Sequence, residues 1–332
     1  LTSRPGVYRM IDVDGTVIYV GKAKNLKKRV GSYFRSTGLT SKTQVMVAQI
    51  VAIEITVTHT ENEALILENN LIKELMPRYN VLLRDDKSYP YLLISGDKYP
   101  RLSVHRGAKR KVGKYFGPYP SAGAVRESLN LLQKLFPVRQ CEDSYYQNRS
   151  RPCLQYQIKR CTAPCVGLIS ESDYQKDVQH TIMFLEGKNQ QVMDELSNQM
   201  DNASQNLQFE QAASIRDKII SLRRVQERQY VSSMQGDSDV LAAIVRDGIA
   251  VVEVSFVRGG RNLGSKSYFP KGSSDLTESE LLTAFIPQYY LGKDVPAEIL
   301  LSHEVEDAQL LQDVLQTESG HKVSLRKPQR GH

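Results

Sequence analysis

Two short blocks near the start of the chain carry side chains suited to acid–base and phosphate chemistry. Gly6-Val7-Tyr8 is followed, eleven residues after the tyrosine, by Tyr19-Val20-Gly21-Lys22. A turn signal, Asp14-Gly15, lies between two apolar-rich runs, and this pattern predicts a β-hairpin. Because side chains alternate between the two faces of a strand, the two phenols share one face. We therefore expect two tyrosines and a lysine to converge in a reaction centre.

The length of the turn decides the register of this hairpin. If Asp14-Gly15 is a two-residue turn, Tyr19 faces Met10 and lies diagonal to Tyr8. If the loop has four residues, Tyr8 faces Tyr19 directly. Both registers keep the phenols on one face, so the expected grouping is the same in either case.

A short basic helix is predicted over Lys24 to Phe34, directly after the second block. Arg29 and Tyr33 are four residues apart, and Lys22 or its neighbourhood lies seven residues before Arg29. These spacings place the three positions on one helical face. The alternative is a lysine-rich helix that only presents a solvated face.

A second predicted helix carries a carboxylate in an unusual position. Thr60-Glu61-Asn62-Glu63 is a capping-box pattern that begins a helix over Ala64 to Leu75. Glu68 falls in the centre of the apolar stripe of that helix. An unpaired buried charge is costly, so this glutamate is either a misfit or a ligand.

These residues together resemble the GIY-YIG nuclease domain over about residues 1–85, with Gly-Val-Tyr and Tyr-Val-Gly as conservative forms of its two blocks. Further stretches resemble the UvrC family of bacterial excision-repair nucleases: Pro77-Arg78-Tyr79-Asn80, Lys87-Ser88-Tyr89-Pro90 and Tyr115-Phe116-Gly117-Pro118-Tyr119. The resemblance implies a metal-dependent endonuclease that makes the 3′ incision near a lesion in a UvrB–DNA complex.

The resemblance also implies roles for the residues of the centre. Glu68 would hold one Mg²⁺ or Mn²⁺ ion. Tyr19 would act as general base, and because a free phenol titrates near pH 10 it would need the positive charge of Lys22 and the metal. Arg29 would bind the scissile phosphate and stabilise the charge that builds on it.

The remaining members of the implied catalytic set support these groups. Tyr8 and Tyr33 would orient the water or the phosphate, and Asn80 would support the site. The adjacent acidic pair Asp85-Asp86 is interpreted as a solvated turn rather than as a metal ligand.

The charge is divided unevenly along the chain. The net charge is +7 over 332 residues, but residues 1–170 hold 27 Lys+Arg against 13 Asp+Glu, and residues 171–332 hold 17 against 24. The basic half is where a polyanion such as DNA is expected to bind. Its densest run contains Arg106, Lys109, Arg110, Lys111 and Lys114. This run either tracks phosphates without reading sequence or is a flexible, solvated loop.

All four cysteines lie close together, at Cys141, Cys153, Cys161 and Cys165. Disulfides are uncommon in cytosolic proteins, so the cluster predicts a metal centre. Four thiolates suit zinc and an iron–sulfur cluster equally well. The family resemblance favours a [4Fe–4S] cluster, with Zn²⁺ as the alternative.

The acidic half begins with a helical pattern from Glu171 to about Gln229. Its later part, about residues 195–229, resembles the UVR motif, which implies docking onto UvrB. The alternative is an ordinary helix pair packed on its own protein. From Asp239 the pattern alternates with period two and predicts a meander, a helix near Leu276 to Tyr290 and a strand at Glu298 to Ser302.

This last region resembles the start of an RNase H-like domain. We expect the chain to end before the Asp/Asp/His catalytic set of that domain, so that Asp239 and Asp247 are poor candidates for it. No second active centre and no helix-hairpin-helix tail are expected.

The expected fold class is α+β multidomain. Its expected parts are a GIY-YIG α/β sheet domain at 1–85, a basic linker region at 86–140, a four-cysteine metal-binding module at 141–170, a helical region with the UVR motif at 171–235 and an incomplete RNase H-like α/β domain at 236–332. Without a long apolar run or a signal-peptide pattern, the sequence predicts a cytoplasmic protein. The rival hypotheses are a freestanding GIY-YIG endonuclease and a non-catalytic, metal-stabilised DNA-binding adaptor.

Overall fold

A computed structural model describes residues 1–34, 40–83, 88–229, 236–273 and 275–328. The chain separates into two compact units, and neither is one continuous stretch of sequence. Unit 1 contains Leu1–Asp86, Asp239–Val254 and Ser267–His332, and unit 2 contains Lys87–Ser238 and Ser255–Lys266. The pair Asp85-Asp86 lies outside the described residues.

Within the described ranges the strands form three sheets, and helices connect them. The strands are β1 (Gly6–Ile11), β2 (Val17–Ala23), β3 (Ala52–Val57), β4 (Pro90–Ser95), β5 (Leu102–Arg106), β6 (Gly113–Phe116), β7 (Ser238–Arg246), β8 (Ile249–Arg258), β9 (Arg261–Tyr268), β10 (Glu298–Leu301) and β11 (Ser324–Arg326). The helices are α1 (Leu26–Ser32), α2 (Ser41–Val47), α3 (Glu61–Leu75), α4 (Ala122–Leu135), α5 (Asp143–Gln147), α6 (Leu154–Gln157), α7 (Glu171–Leu185), α8 (Asn189–Gln205), α9 (Phe209–Gln229), α10 (Glu278–Tyr290) and α11 (Ala308–Ser319), with a 3-10 helix at Pro164–Val166.

The first sheet of unit 1 has the order β2-β1-β3 and is antiparallel. In its hairpin Met10 pairs with Tyr19, the register that the two-residue turn predicted. A register shift follows directly after Met10, between it and Ile11. The turn is closed by the Asp12 carboxylate, which accepts hydrogen bonds from the backbone amides of Asp14 and Thr16 at 3.0 and 2.9 Å. This short-range closure fixes the strands that carry the two tyrosines.

Helix α3 covers this sheet and begins three residues earlier than the sequence pattern predicted. Thr60 is its N-cap, and the Thr60 hydroxyl accepts a hydrogen bond from the amide of Glu63. Ala64 and Ile72 are buried against Val7 and Val20 of the sheet. The apolar stripe therefore packs against the sheet as predicted, and this packing holds the helix that carries Glu68.

The second sheet has the order β11-β10-β7-β8-β9. The predicted meander, the helix ending at Tyr290 and the strand beginning at Glu298 are confirmed. Helix α11 and strand β11 were not foreseen. Asp239 is buried and accepts a hydrogen bond from the hydroxyl of Tyr290 at 2.7 Å, whereas Asp247 lies in the exposed turn after β7. Helices α10 and α11 both pack against α3 within unit 1.

Residues 86–140 were expected to be a basic linker, but their described part is a folded sheet and helix. Strands β5-β4-β6 form an antiparallel sheet, and α4 packs on it. Leu92, Leu93 and Ile94 of β4 are all buried. The lysines and arginines of this interval, which are densest at residues 106–114, hid the apolar run that forms the buried central strand β4.

Helices α7, α8 and α9 complete unit 2, as the helical pattern predicted. Helices α8 and α9 pack along each other as a hairpin. Near its connection, Leu207 and Phe209 remain 74% and 62% exposed, which is unusual for large apolar side chains. Within the part of the chain that the structure describes, no helix combines the length and apolar character needed to span a membrane.

Candidate active site

Three tyrosines from different elements meet in unit 1. The Tyr8 and Tyr33 hydroxyls are 2.9 Å apart, and Tyr33 donates a longer hydrogen bond of 3.5 Å to the Tyr19 hydroxyl. The three ring centroids are separated by 5.9 to 6.1 Å. The convergence expected from the hairpin is therefore present, and the end of α1 supplies the third phenol.

Close packing around these rings requires a glycine at position 21. A Cβ atom on Gly21 would lie 2.4 Å from the Tyr8 hydroxyl oxygen and 3.0 Å from Tyr19 Cε1. Any side chain there would push the two phenols out of place. Steric contact with the two tyrosine rings thus explains why the second sequence block has a glycine at position 21.

The environment keeps the Tyr8 and Tyr19 hydroxyls protonated. Burial raises the pKa of Tyr8 well above its ordinary value of 10.0, and the neighbouring Tyr33 adds to the effect. Desolvation likewise raises the pKa of Tyr19, with further contributions from Tyr8, Tyr33 and Glu68. Extra positive charge is therefore needed before Tyr19 can accept a proton at neutral pH.

Arg29 supplies a permanent positive charge beside the tyrosines. Its guanidinium carbon lies 5.4 Å from the centroid of the Tyr33 ring. Burial lowers the pKa of Arg29, but Tyr33 and Tyr8 outweigh this, so the net pKa is raised. The guanidinium thus stays charged and can contact a phosphate.

Glu68 is joined to the second sequence block by a backbone contact. The amide of Lys22 donates a hydrogen bond to Glu68 Oε1 at 2.8 Å. Burial raises the pKa of Glu68 to about 7, while that amide and the charges of Lys22 and Arg29 oppose the rise. The carboxyl group is consequently poised between its two protonation states near neutral pH.

Asn80 reaches the site indirectly, through the backbone of β2. Its side-chain oxygen accepts a hydrogen bond from the amide of Val20, and its side-chain nitrogen donates to the carbonyl of Val20, both at 2.8 Å. Val20 lies between Tyr19 and Gly21 in the sequence. Asn80 is therefore placed to fix the strand rather than to touch a substrate.

A cavity of about 1050 Å³ opens in front of these residues. Of the residues singled out in the sequence, it is lined by Tyr8, Tyr19, Lys22, Arg29, Glu68 and Asn80. Tyr33 supports the cavity through its bond to Tyr8 without lining it. The structure thus brings the whole expected set into one place.

The far wall of the cavity comes from α10 and the start of α11, which sequence reasoning missed. Lys22 Nζ lies 2.5 Å from Asp307 Oδ2, and Glu306 and Gln288 line the same wall. These residues are more than 200 positions from the second block, so no local pattern signals the contact. The Asp307 carboxylate therefore forms an ion pair with the Lys22 ammonium group at this wall.

Asn69, next to Glu68, was also missed. Its side chain is only 3% exposed and lines the cavity. Among the described residues its Oδ1 atom has no hydrogen-bond partner. A buried orphan acceptor beside a carboxylate indicates a place for a donor such as an ordered water.

The donor chemistry of the cavity fits a hard divalent cation. Within the described ranges, no three His, Cys, Asp or Glu side chains form a group that could hold a metal. Magnesium is commonly held by one or two carboxylates, with waters and substrate phosphates completing its shell. Glu68 is the cavity carboxylate whose charge acts on Tyr19, and it fits such a role.

The four cysteines belong to unit 2 and do not line this cavity. Each thiol is partly exposed, and their electrostatic influence on one another reflects their proximity. Burial raises the pKa of Cys161 to about 11, so this thiol is protonated at neutral pH. The predicted four-cysteine metal module is not shown, because no described group of side chains has a metal-holding arrangement. Spacing along the chain could not reveal how the thiols are oriented.

Family models match four consecutive parts of the chain. They are the UvrC-like GIY-YIG domain at residues 4–81, the UvrC/Cho excinuclease middle domain at 89–184, the UvrB/uvrC motif at 190–225 and the UvrC ribonuclease H-like domain at 237–332. The middle-domain match falls on the sheet that replaces the expected linker.

Solved structures of a single domain are also similar. The GIY-YIG N-terminal endonuclease domain of UvrC from Thermotoga maritima, bound to its catalytic divalent cation magnesium, is 41% identical. The match covers 24% of this chain and 86% of that chain, with a TM-score of 0.23. A point mutant of the same domain is 40% identical with the same coverage and TM-score.

Curated relatives called UvrABC system protein C are similar along the whole chain. The protein of Nitrosococcus oceani is 60% identical over 331 residues, which is 100% of this chain and 55% of the relative. That of Shigella dysenteriae serotype 1 is 55% identical over 336 residues, covering 100% of this chain and 58% of the relative. The chain thus spans a little over half the length of these relatives. With such identity along its length and the four models in order, the chain belongs to the UvrC family.

Proposed function

We propose that this chain is a metal-dependent DNA endonuclease subunit of nucleotide excision repair. It hydrolyses a phosphodiester bond 3′ of a lesion, on DNA already held by UvrB, in the cytoplasm. The observation that carries the proposal is a cavity lined by a half-buried carboxylate, a charged guanidinium and two of the three clustered phenols. These groups match the needs of phosphodiester hydrolysis, which are a positioned water and positive charge at the phosphate.

Glu68 is the residue that would hold the cation, Mg²⁺ or Mn²⁺. When bound, such a cation supplies positive charge to the phosphate oxygens and makes a nearby water more acidic. Below about pH 7 the Glu68 carboxyl takes up a proton and competes with cation binding. The raised pKa of Glu68 therefore sets a lower pH limit for the proposed activity.

The tyrosines and Arg29 would act on the water and the phosphate. Tyr19 accepts the proton of the attacking water, and because burial raises its pKa it needs the positive charges of Lys22 and of a cation at Glu68 to do so. Tyr8 and Tyr33 orient the water or the phosphate, and the Tyr33 hydroxyl also donates a hydrogen bond to that of Tyr19. Arg29 remains charged and stabilises the negative charge that develops on the phosphate.

The proposed interaction with UvrB uses the α8–α9 hairpin. The segment resembles a UvrB/uvrC motif over residues 190–225. Leu207 and Phe209 are its most exposed large apolar side chains among the described residues. Exposed apolar groups of this kind support docking onto a partner helix pair.

A metal centre at Cys141, Cys153, Cys161 and Cys165 remains a separate proposal, with a [4Fe–4S] cluster favoured and Zn²⁺ as the alternative. It is supported by the clustering of the four thiols in sequence and by their mutual electrostatic influence. Metal analysis of protein purified without oxygen tests it. About four irons per chain would indicate the cluster, one zinc would indicate a structural site, and the absence of both would contradict the proposal.

The experiment that tests the nuclease function compares Glu68→Gln with Glu74→Gln. Both changes remove one carboxylate from α3, but Glu74 is exposed and lies outside the cavity. With UvrB-loaded damaged duplex, Glu68→Gln should abolish 3′ nicking and keep DNA binding, while Glu74→Gln nicks normally. Nicking that survives Glu68→Gln would overturn the assignment of the cation ligand. A wild-type chain that binds but never nicks would favour the non-catalytic adaptor.

A further inference from the structure

The connection between β5 and β6 is the most strongly charged surface segment of unit 2 and is not used by the cavity described above. Residues 106–114, which we name the basic crossover, contain Arg106, Lys109, Arg110, Lys111 and Lys114 and no acidic residue. All nine residues of the crossover are exposed. Cationic side chains packed this closely repel one another, and a bound anion would relieve that repulsion.

The topology of the sheet explains the shape of the crossover. Both β5 and β6 pair antiparallel with the central strand β4, so they run parallel to each other. Arg106 pairs with Pro90 at one end of β4, and Gly113 pairs with Ser95 at the other end. The crossover must therefore travel the length of β4, which spreads its charges along a line.

An aromatic platform holds the crossover in place. The Tyr115 hydroxyl accepts a hydrogen bond from the amide of Lys111 and donates one to its carbonyl, each at 3.0 Å. Lys109 Nζ lies 4.5 Å from the centroid of the Tyr91 ring. The His105 ring packs edge-on against Tyr115, and one of its nitrogens lies 3.0 Å from the carbonyl of Ala108. The segment is thus braced, unlike the flexible solvated loop that was the alternative from sequence.

Part of the charge of the crossover is already paired within unit 2. Lys114 pairs with Glu186. Among the described residues, Arg110 and Lys111 form no ion pair through their side chains. A braced line of exposed cations fits a partner whose negative charges are themselves regularly spaced.

We propose that the basic crossover binds the sugar–phosphate backbone of duplex DNA. This inference rests on the proposed function, because it takes DNA as the polyanion that the chain meets. The contact is independent of sequence, since lysine and arginine on a surface connection reach phosphates and not base edges. Bracing by Tyr115 lowers the ordering cost that a free loop would have on binding.

The test compares two double variants in a Glu68→Gln background, which prevents cleavage during binding measurements. Arg110→Gln/Lys111→Gln removes two charges from the crossover. Arg126→Gln/Lys134→Gln removes two charges from exposed positions of α4 in the same unit. The probe is a fluorescein-labelled, undamaged duplex of mixed sequence, titrated at several salt concentrations.

The crossover variant should bind the duplex on the order of tenfold more weakly, with the slope of log affinity against log salt reduced by about two. The α4 variant should match the parent. An unchanged slope in the crossover variant, or an equal loss in both variants, would overturn the proposal. Weakened binding to UvrB with unchanged duplex binding would also overturn it and indicate an acidic protein surface instead.

A second variant tests the bracing. Tyr115→Phe keeps the ring and every charge but removes the two hydrogen bonds to Lys111. It should weaken duplex binding about two- to fivefold with an unchanged salt slope, because only the ordering cost rises. Unchanged affinity would overturn the bracing. These results are independent of nicking by the Glu68-containing protein, so failure of this proposal is distinguishable from failure of the nuclease function.

Discussion

The backbone amide of Lys22 donates a hydrogen bond to the Glu68 carboxylate at 2.8 Å and so joins strand β2 to helix α3. The residue that follows Gly21 thereby holds the proposed cation ligand against the tyrosine cluster. The contact uses the backbone, so it constrains the path of the strand and leaves the Lys22 side chain for other partners. Burial leaves Glu68 with a pKa near 7, which gives the site a measurable dependence on pH and cations.

Glu68→Gln should stabilise the cation-free protein at alkaline pH. The folded-state pKa of Glu68 is raised from 4.5 to about 7, so the folded state binds more protons than the unfolded state between these values. Stability therefore falls as pH rises through this window, by about 1–3 kcal/mol for a partly exposed group. Urea unfolding should show the variant more stable than wild type at pH 8 and equal at pH 4. A variant less stable at pH 8 would contradict desolvation of the Glu68 carboxylate as the cause of its raised pKa.

Tyr19→Phe should separate catalysis from binding. It keeps the packed ring and removes the hydroxyl that is proposed to take the water proton. Loss of a general base typically costs about 10²–10⁴-fold in rate, so single-turnover nicking should fall by this amount while DNA affinity is unchanged. Tyr145→Phe, at an exposed tyrosine of unit 2, is the matched control. A nicking rate within twofold of wild type would remove Tyr19 from the mechanism.

Asn80→Ala should act through the position of β2. The change deletes two buried hydrogen bonds to Val20 and should lower the unfolding free energy by about 2–3 kcal/mol. If Asn80 positions the strand without touching substrate, kcat should fall at least tenfold with KM nearly constant. Asn70→Ala, at an exposed asparagine of α3, should change neither quantity. A selective rise in KM would instead indicate direct contact with DNA.

Phe209→Ala should weaken the association with UvrB without destabilising the chain. Phe209 is 62% exposed, so its truncation removes little packing in the free protein. Calorimetric titration with UvrB should show at least a tenfold loss of affinity. Phe269→Ala, at a phenylalanine that is 66% exposed elsewhere, is the control. Equal affinity for both variants would contradict docking through the α8–α9 hairpin.

Much of the site could be predicted because its signals are short-range. The Asp14-Gly15 turn signal located the hairpin whose strands place Tyr8 and Tyr19 on one face, and the misfit of Glu68 in an apolar stripe marked the ligand candidate. Turn chemistry and helical periodicity are both local properties of the sequence. They therefore appear in a single chain without any comparison.

The parts that could not be predicted depend on long-range packing. Nothing near Lys22 indicates that Asp307 will contact it, because the contact arises from the packing of α10 and α11 on α3. The sheet within residues 86–140 was missed because counts of lysine and arginine outweighed the buried run of β4. For the cysteines, spacing gives proximity but not the direction in which each thiol points.

The central claim, that Glu68 holds a catalytic cation beside the tyrosine cluster, is tested most directly by Mn²⁺ binding. Titration followed by electron paramagnetic resonance should show one site in wild type at pH 8, with affinity falling as the pH drops below about 7. Glu74→Gln should behave like wild type, and Glu68→Gln should lose the site together with nicking. Equal Mn²⁺ binding by Glu68→Gln and wild type would contradict the account.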